Sequence, residues 1–226
     1  MILKVTLIGL LAGVLGTGAG GILSAMFRKE VDRYLNFFMG LSGGIMLAVV
    51  VFDLMKEAMD TSGVLYTVLF TFMGVLLTML IKNRLDFTGE MKSGYLIFIS
   101  ILLHNLPEGL AIGSSFISEE TLGITLAIVI GLHNIPEGLA TALSLVGARV
   151  PVKKIILFTF IAGLPMGLGS FLGVYFAGLF KSLIGLFLSL AAGTMLFVVL
   201  DEIMPKSKSL YSIIGFLTGT IIVYYI

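Results

Sequence analysis

His104-Asn105-Leu106-Pro107-Glu108-Gly109-Leu110-Ala111 returns further along the chain as His133-Asn134-Ile135-Pro136-Glu137-Gly138-Leu139-Ala140, with one change between the copies, Leu106 against Ile135. The two copies hold both histidines of the 226-residue chain, and each lies inside an apolar run. On a helix, residues i and i+4 share a face, so each copy directs an imidazole and a carboxylate the same way. Ionisable groups at membrane depth are costly and by default mark a functional site. One copy alone would suit a structural hydrogen bond or a proton relay. Two matched copies point to one shared site. His nitrogen with carboxylate and amide oxygen suits borderline divalent ions such as Zn²⁺, Fe²⁺, Mn²⁺ and Cd²⁺. The proline of each copy removes a backbone donor and predicts a kinked helix with a freed carbonyl, tolerated at membrane depth beside protein or a water-lined cavity.

Composition sets the surroundings of these motifs. The chain is 58% hydrophobic and 12% charged, with mean hydropathy +1.12. A soluble domain carries about 25% charged residues, so the fold class is an all-α polytopic membrane protein in contact with the lipid bilayer. Helices in lipid associate through small residues, and 28 glycines fit that mode. A net charge of +1 and the lack of a basic patch with interleaved aromatics leave no case for nucleic acid. With no cysteine there is neither a disulfide framework nor a thiolate metal site. The first apolar run is too long for the core of a signal peptide and reads as a membrane span.

Breaking the chain at its charged and turn-rich positions predicts eight spans near the roughly 20 residues a crossing needs: 2–27, 34–59, 63–81, 93–117, 121–146, 151–180, 182–204 and 209–226. No long linker divides them, so one transmembrane domain is expected over 1–226, with a first repeat at 1–82, a central helix pair at 93–146 and a second repeat at 151–226. Lys4, Lys56 and Lys181 fall on the side of the termini. Arg28, Lys29, Arg33, Lys82, Arg84, Lys92, Arg149, Lys153, Lys154, Lys206 and Lys208 fall on the other. By the positive-inside rule both termini face outward, which in a cell membrane puts the basic loops in the cytoplasm.

A second repeat lies outside the twin motif. Gly44-Ile45-Met46-Leu47-Ala48-Val49-Val50 in the second span matches Gly193-Thr194-Met195-Leu196-Phe197-Val198-Val199 in the seventh. The match continues with Asp53 against Glu202 and Met55 against Met204, while Ala12-Gly13 echoes Ala162-Gly163. Because the second and seventh spans run in opposite senses, spans 1–3 and 6–8 read as inverted repeats around spans 4 and 5. Inverted repeats with polar residues near the midplane are a transporter signature.

The paired HNxPEG stretches, Gly43-Gly44-Ile45-Met46-Leu47 and the run from Ala191 through Pro205 resemble the ZIP (Zrt-, Irt-like) divalent-metal transporters, and more narrowly their prokaryotic GufA-like branch. The resemblance covers nearly the whole chain, and the doubled HNxPEG is its most specific part. It implies a 3+2+3 arrangement of eight helices and a metal site of His104, Glu108, His133 and Glu137, with Met46 contributing from the second span. It further implies a second site at Asn105 and Asn134 bridged by Glu108 and Glu137. Binuclear relatives place a glutamate before the proline of the sixth span, where this chain has Leu164-Pro165, and some have aspartate where Asn134 stands. One strong site and a weak or absent second one are therefore expected.

The same resemblance makes Asp53 an entrance residue and Asp201 with Glu202 exit residues. It implies inward movement of zinc, or of iron, manganese or cadmium, by alternating access, with spans 1, 4, 5 and 6 moving against 2, 3, 7 and 8, commonly in a homodimer. The metal is cargo, and no cofactor is implied. Two other readings compete. An intramembrane metal-dependent hydrolase would use a Zn²⁺-activated water, but the chain has no HExxH pair and duplicates its ligands symmetrically without an unpaired general base. A proton channel built on the His–Glu pairs would require neither asparagine nor methionine.

Overall fold

The computed structural model describes residues 1–26, 31–176 and 181–225, and these are helical apart from short connections. Arg28 and Lys29, and the outermost residues of the spans expected to end at 27, 180 and 226, lie outside the described residues. The helices are α1 (Ile2–Met26), α2 (Val31–Val49), α3 (Met55–Ser62), α4 (Val64–Arg84), α5 (Gly89–Ser118), α6 (Glu120–Gly147), α7 (Val152–Tyr175), α8 (Lys181–Val198) and α9 (Ser209–Tyr225). A π-helical turn at Val50–Leu54 joins α2 to α3, and another at Val199–Ile203 leads from α8 into a 3₁₀ turn at Met204–Lys206. Among the described residues, seven helical rods are long and apolar enough to cross a membrane, and α9 is shorter. α2 with α3 forms the second expected span, and α8 with its two irregular turns forms the seventh.

The connection expected between Lys82 and Lys92 is reduced to residues 85–88, because α4 extends to Arg84 and α5 begins at Gly89. Lys82 and Arg84 stand in the last turn of α4 and Glu90 in the first turn of α5. Each charge complements the helix dipole at its end, which favours extra helical turns over loop. Gly63, with φ +84°, makes the sharp corner from α3 into α4 that a side chain would strain.

Small residues let the helices approach closely. A Cβ placed on Gly13 of α1 would come 2.4 Å from the carbonyl oxygen of Gly163 on α7, and one on Gly109 of α5 would lie 2.2 Å from that of Met166 on α7. The same intimacy recurs between Gly74 of α4 and Leu190 of α8, and between Gly44 of α2 and Ser212 of α9. α1, α5, α6 and α7 thus pack as one group, and α2, α4, α8 and α9 as another, with α2 against α6 and α5 against α8 between them. Gly43 packs on Ile203 while Gly185 packs on Ser62, so the α2–α3 rod and α8 are antiparallel neighbours. The main apolar cluster gathers Met46, Val49 and Val50 with Met195, Val198 and Val199, and reaches Ala111, Leu139 and Ala140 of the motif helices.

The two π-turns begin at the end of the matched stretches, at Val50 and at Val199, and carry Asp53 and Glu202 at the same position. A π-turn shifts the phase of a helix and is frequent at functional sites. One consequence is that the seven-residue interval from Met46 to Asp53 crosses a phase change, so ordinary helical spacing no longer reports a shared face.

Candidate metal centre

Both motif copies lie within unbroken helices: Pro107 sits inside α5 and Pro136 inside α6. α5 and α6 pack side by side and bring the copies together. His104, Glu108, His133 and Glu137 each offer one ligand atom, and these atoms all lie within 4.8 Å of one another in a fully buried position. Nε2 of His104 is 2.8 Å from Oε1 of Glu108 and 3.5 Å from Oε1 of Glu137. Nε2 of His133 is 2.5 Å from the same Oε1 of Glu108.

These contacts satisfy only part of the polar capacity. Glu108 Oε2, both oxygens of Glu137 and both His Nδ1 atoms are buried without hydrogen-bond partners. Removing a carboxylate from water costs several kcal/mol unless a countercharge and further bonds offset it. A buried pair of carboxylates facing two imidazoles is therefore well suited to a cation. Nitrogen and carboxylate oxygen are the ligand types that zinc takes outside thiolate sites.

The flanking asparagines turn toward α7. Asn105 donates through Nδ2 to the carbonyl of Ala162 at 2.7 Å, and Asn134 directs its Nδ2 at the sulfur of Met166 at 3.8 Å. Each keeps a buried, unpartnered Oδ1 as an available acceptor. Met46 is 1% exposed and sits in the apolar cluster with Ala111, Leu139 and Ala140 of the motif helices. Leu164 is half exposed on the surface of α7.

Asp53 occupies the first π-turn, within electrostatic range of His133, Glu108 and His104. It borders a polar cavity of about 310 Å³ together with Lys56, Glu57, Asp60, Phe52, Val223 and Tyr224. Asp201 and Glu202, in the second π-turn, stand apart from the four-residue group and are both ion-paired with Lys82. Lys82, Ser93 and Lys206 are far apart in sequence and near helix ends, and the packing of α4, α5 and the end of α8 joins them to the acidic pair. A further set, Ser100, Thr141 and Ser144, is buried with unpartnered hydroxyls. Its signal was present as helical spacing, since Ser100 lies four residues before His104 and Thr141 four after Glu137.

Comparison with known proteins accords with this chemistry. The family model described as ZIP zinc transporter matches residues 82–226. The zinc transporter ZupT of Chlorobaculum parvum is 33% identical, over 88% of this chain and 85% of its own. ZupT of Chlorobium chlorochromatii is 30% identical over 92% of this chain and 91% of its own. The zinc transporter ZIPB of Bordetella bronchiseptica is 30% identical over 87% of this chain and 70% of its own. With a buried His/Glu cluster set among membrane-length helices, the chain belongs to the ZIP zinc transporter family and is a transporter of divalent metal ions rather than an enzyme.

Proposed function

We propose that the protein carries zinc into the cytoplasm by alternating access through a midplane site formed by His104, Glu108, His133 and Glu137. The observation that carries this reading is the convergence of those four buried ligand atoms within 4.8 Å. Met46 adds a thioether from α2, and Asn105 and Asn134 lend Oδ1 atoms to a weaker neighbouring position. Fe²⁺, Mn²⁺ and Cd²⁺ suit the same donors, and ligand type alone does not separate them. Asp53 receives the ion from the outer cavity, and Asp201 with Glu202 passes it on at the inner end.

Membrane topology follows the same reading. The chain forms one transmembrane domain in a cell membrane, with both termini outside and a 3+2+3 arrangement. The matched π-turns and the antiparallel packing of the α2–α3 rod with α8 support inverted repeats at 1–82 and 151–226 around the central pair at 93–146. The grouping of α1, α5, α6 and α7 apart from α2, α4, α8 and α9 supports movement of one group against the other. The working form is a homodimer in the bilayer.

Zinc uptake into proteoliposomes tests the central site. A Glu108→Ala, Glu137→Ala double variant that still carried Zn²⁺ at the normal rate would sink the proposal. The hydrolase reading is less well supported, since among the described residues the buried cluster consists of two matched His–Glu pairs.

A further inference from the structure

We infer that Lys82 is a tethered cation that holds the inner end of the transport route closed, and that it withdraws from Glu202 as the metal leaves. The inference rests on the inward route proposed above and adds to it the residue that controls release.

The geometry at this end joins the two helix groups through one polar chain. Nζ of Lys82, at the end of α4, lies 2.7 Å from Oε1 of Glu202 and pairs also with Asp201. On the other oxygen of Glu202, the hydroxyl of Ser93 from α5 donates at 2.5 Å. Lys206 donates to that same Ser93 oxygen at 2.6 Å and to Glu90 of α5 at 2.7 Å. Glu202 is 7% exposed and Ser93 5% exposed, so the centre of the network is desolvated while Lys82, Asp201 and Glu90 keep contact with solvent. Interactions of this kind are far less screened by salt than exposed ones.

A second observation connects this network to the metal centre. Ser93, Ser100, His104 and Glu108 recur at helical spacing on α5, as do Glu137, Thr141 and Ser144 on α6. A Cβ on Gly94 would lie 3.3 Å from the backbone nitrogen of Leu145, which sets the start of α5 level with the end of α6. Ser100, Thr141 and Ser144 are each no more than 1% exposed, and their hydroxyls have no partner. Ser114 of α5, by contrast, bonds back to its own helix backbone, as do Thr17 of α1 and Ser189 of α8, while Ser24, Thr71 and Ser170 share the unpartnered state elsewhere in the bundle. By helical spacing these buried hydroxyls fall between His104 and Glu137 on one side and Ser93 with Glu202 on the other, and a cation passing them arrives where the ammonium of Lys82 already sits.

The lysine also has somewhere to go. Its Nζ lies 5.8 Å from the centroid of the Phe197 ring, and a cavity of about 370 Å³ opens beside that ring, lined by Val75, Leu196, Phe197, Leu200 and Asp201. Asp201 is the more exposed of the two acids. Withdrawal toward Asp201 and Phe197 keeps one ion pair and a ring face for the ammonium, while Glu202 is handed to the outgoing metal. An ion reaching Glu202 is repelled by the ammonium already on Oε1, so arrival of the ion favours departure of the lysine.

The test compares initial Zn²⁺ uptake by proteoliposomes of phosphatidylethanolamine and phosphatidylglycerol. Lys82→Met leaves the exit carboxylates without their resident cation, so they retain the metal and uptake falls on the order of tenfold. Adding Glu202→Gln to that variant weakens the trap and raises uptake several-fold above that of Lys82→Met alone, still below the wild-type rate because Glu202 itself passes the ion on, a gain that a merely damaged fold would not show. Amine labelling of Lys82 in the unaltered protein, read by peptide mass spectrometry, provides an arm that needs no variant to fold. Labelling rises several-fold when Zn²⁺ is added. Wild-type uptake by Lys82→Met, a slow Lys82→Met that Glu202→Gln does not rescue, or Lys82 labelling indifferent to Zn²⁺ overturns the inference. A His104→Ala, His133→Ala variant in the same vesicles reports separately on the central site: retained uptake there defeats the proposed route through that site, whatever Lys82 does.

Discussion

Glu108 Oε1 lies 2.5 Å from Nε2 of His133, on a different helix, and also 2.8 Å from Nε2 of His104 one turn away on its own helix. One carboxylate oxygen thus ties the two copies of the motif to each other. Its partner Glu137 has no hydrogen-bond partner on either oxygen, so the twin glutamates are alike in sequence and unequal in place.

Replacing Glu108 by Gln keeps its shape and removes its charge. Even groups that only orient a ligand are worth roughly 10–100-fold in metal affinity, so loss of this bridging carboxylate lowers Zn²⁺ affinity by about 100-fold or more. Equilibrium dialysis of the purified protein reads the change directly, and near-normal affinity would contradict the assignment.

Metal that binds the folded form and not the unfolded one must stabilise it. At a free Zn²⁺ concentration 100 times Kd the gain is about 2.7 kcal/mol. Thermal unfolding in detergent, with and without a chelator, shows it as a raised midpoint. The Glu108→Ala, Glu137→Ala variant loses the zinc-dependent shift.

Asp53 borders the polar cavity and stands within reach of the central charges. Asp53→Asn raises the half-saturating Zn²⁺ concentration for uptake with little change in the maximal rate. The difference shrinks as ionic strength rises, because part of it is long-range attraction that salt screens. A fall in maximal rate alone would argue against an entrance role.

Gly138 is the position where the central helix pair is least able to accept a side chain. A Cβ there would come 2.0 Å from the carbonyl oxygen of Thr17 on α1. Gly138→Ala forces α1 and α6 apart and costs about 1–3 kcal/mol, the usual range for overpacking. The thermal midpoint reports it without any transport assay.

Thr17 itself makes a milder case. Its hydroxyl lies 2.8 Å from the carbonyl of Gly13 and 2.7 Å from that of Thr159 across on α7. Polar contacts between membrane helices average about 0.6 kcal/mol, so Thr17→Val lowers stability slightly and leaves zinc uptake in place. A loss as large as that of Gly138→Ala would show that the hydroxyl does more than join two helices.

Much of the site was legible in residue order because His104 with Glu108 and His133 with Glu137 obey helical spacing, and because apolar runs announce membrane helices. The helices extend further than hydropathy indicated, as in the short 85–88 connection, since favourable charges at the ends of α4 and α5 carry no hydropathy signal. Pro107 and Pro136, expected to kink their helices, lie inside helices that continue on both sides, because neighbouring helices can satisfy the backbone groups a proline frees. The π-turns at Asp53 and Glu202 were invisible for a related reason: one added residue per turn changes which face a side chain occupies without changing the sequence pattern before it.

By itself, the amino-acid sequence determined the membrane class, the doubled His–Glu motif and the pairing of Asp53 with Glu202, all of which depend on local periodicity or on repetition. Tertiary structure alone decided which partners those groups meet. Glu108 takes both histidines, Asn105 bonds to Ala162 across on α7, and Glu202 is held by Lys82 and Ser93 from two other helices. Those relationships depend on how closely helices distant in sequence can approach, and in this chain that distance is set by glycines whose missing side chains admit a neighbouring backbone.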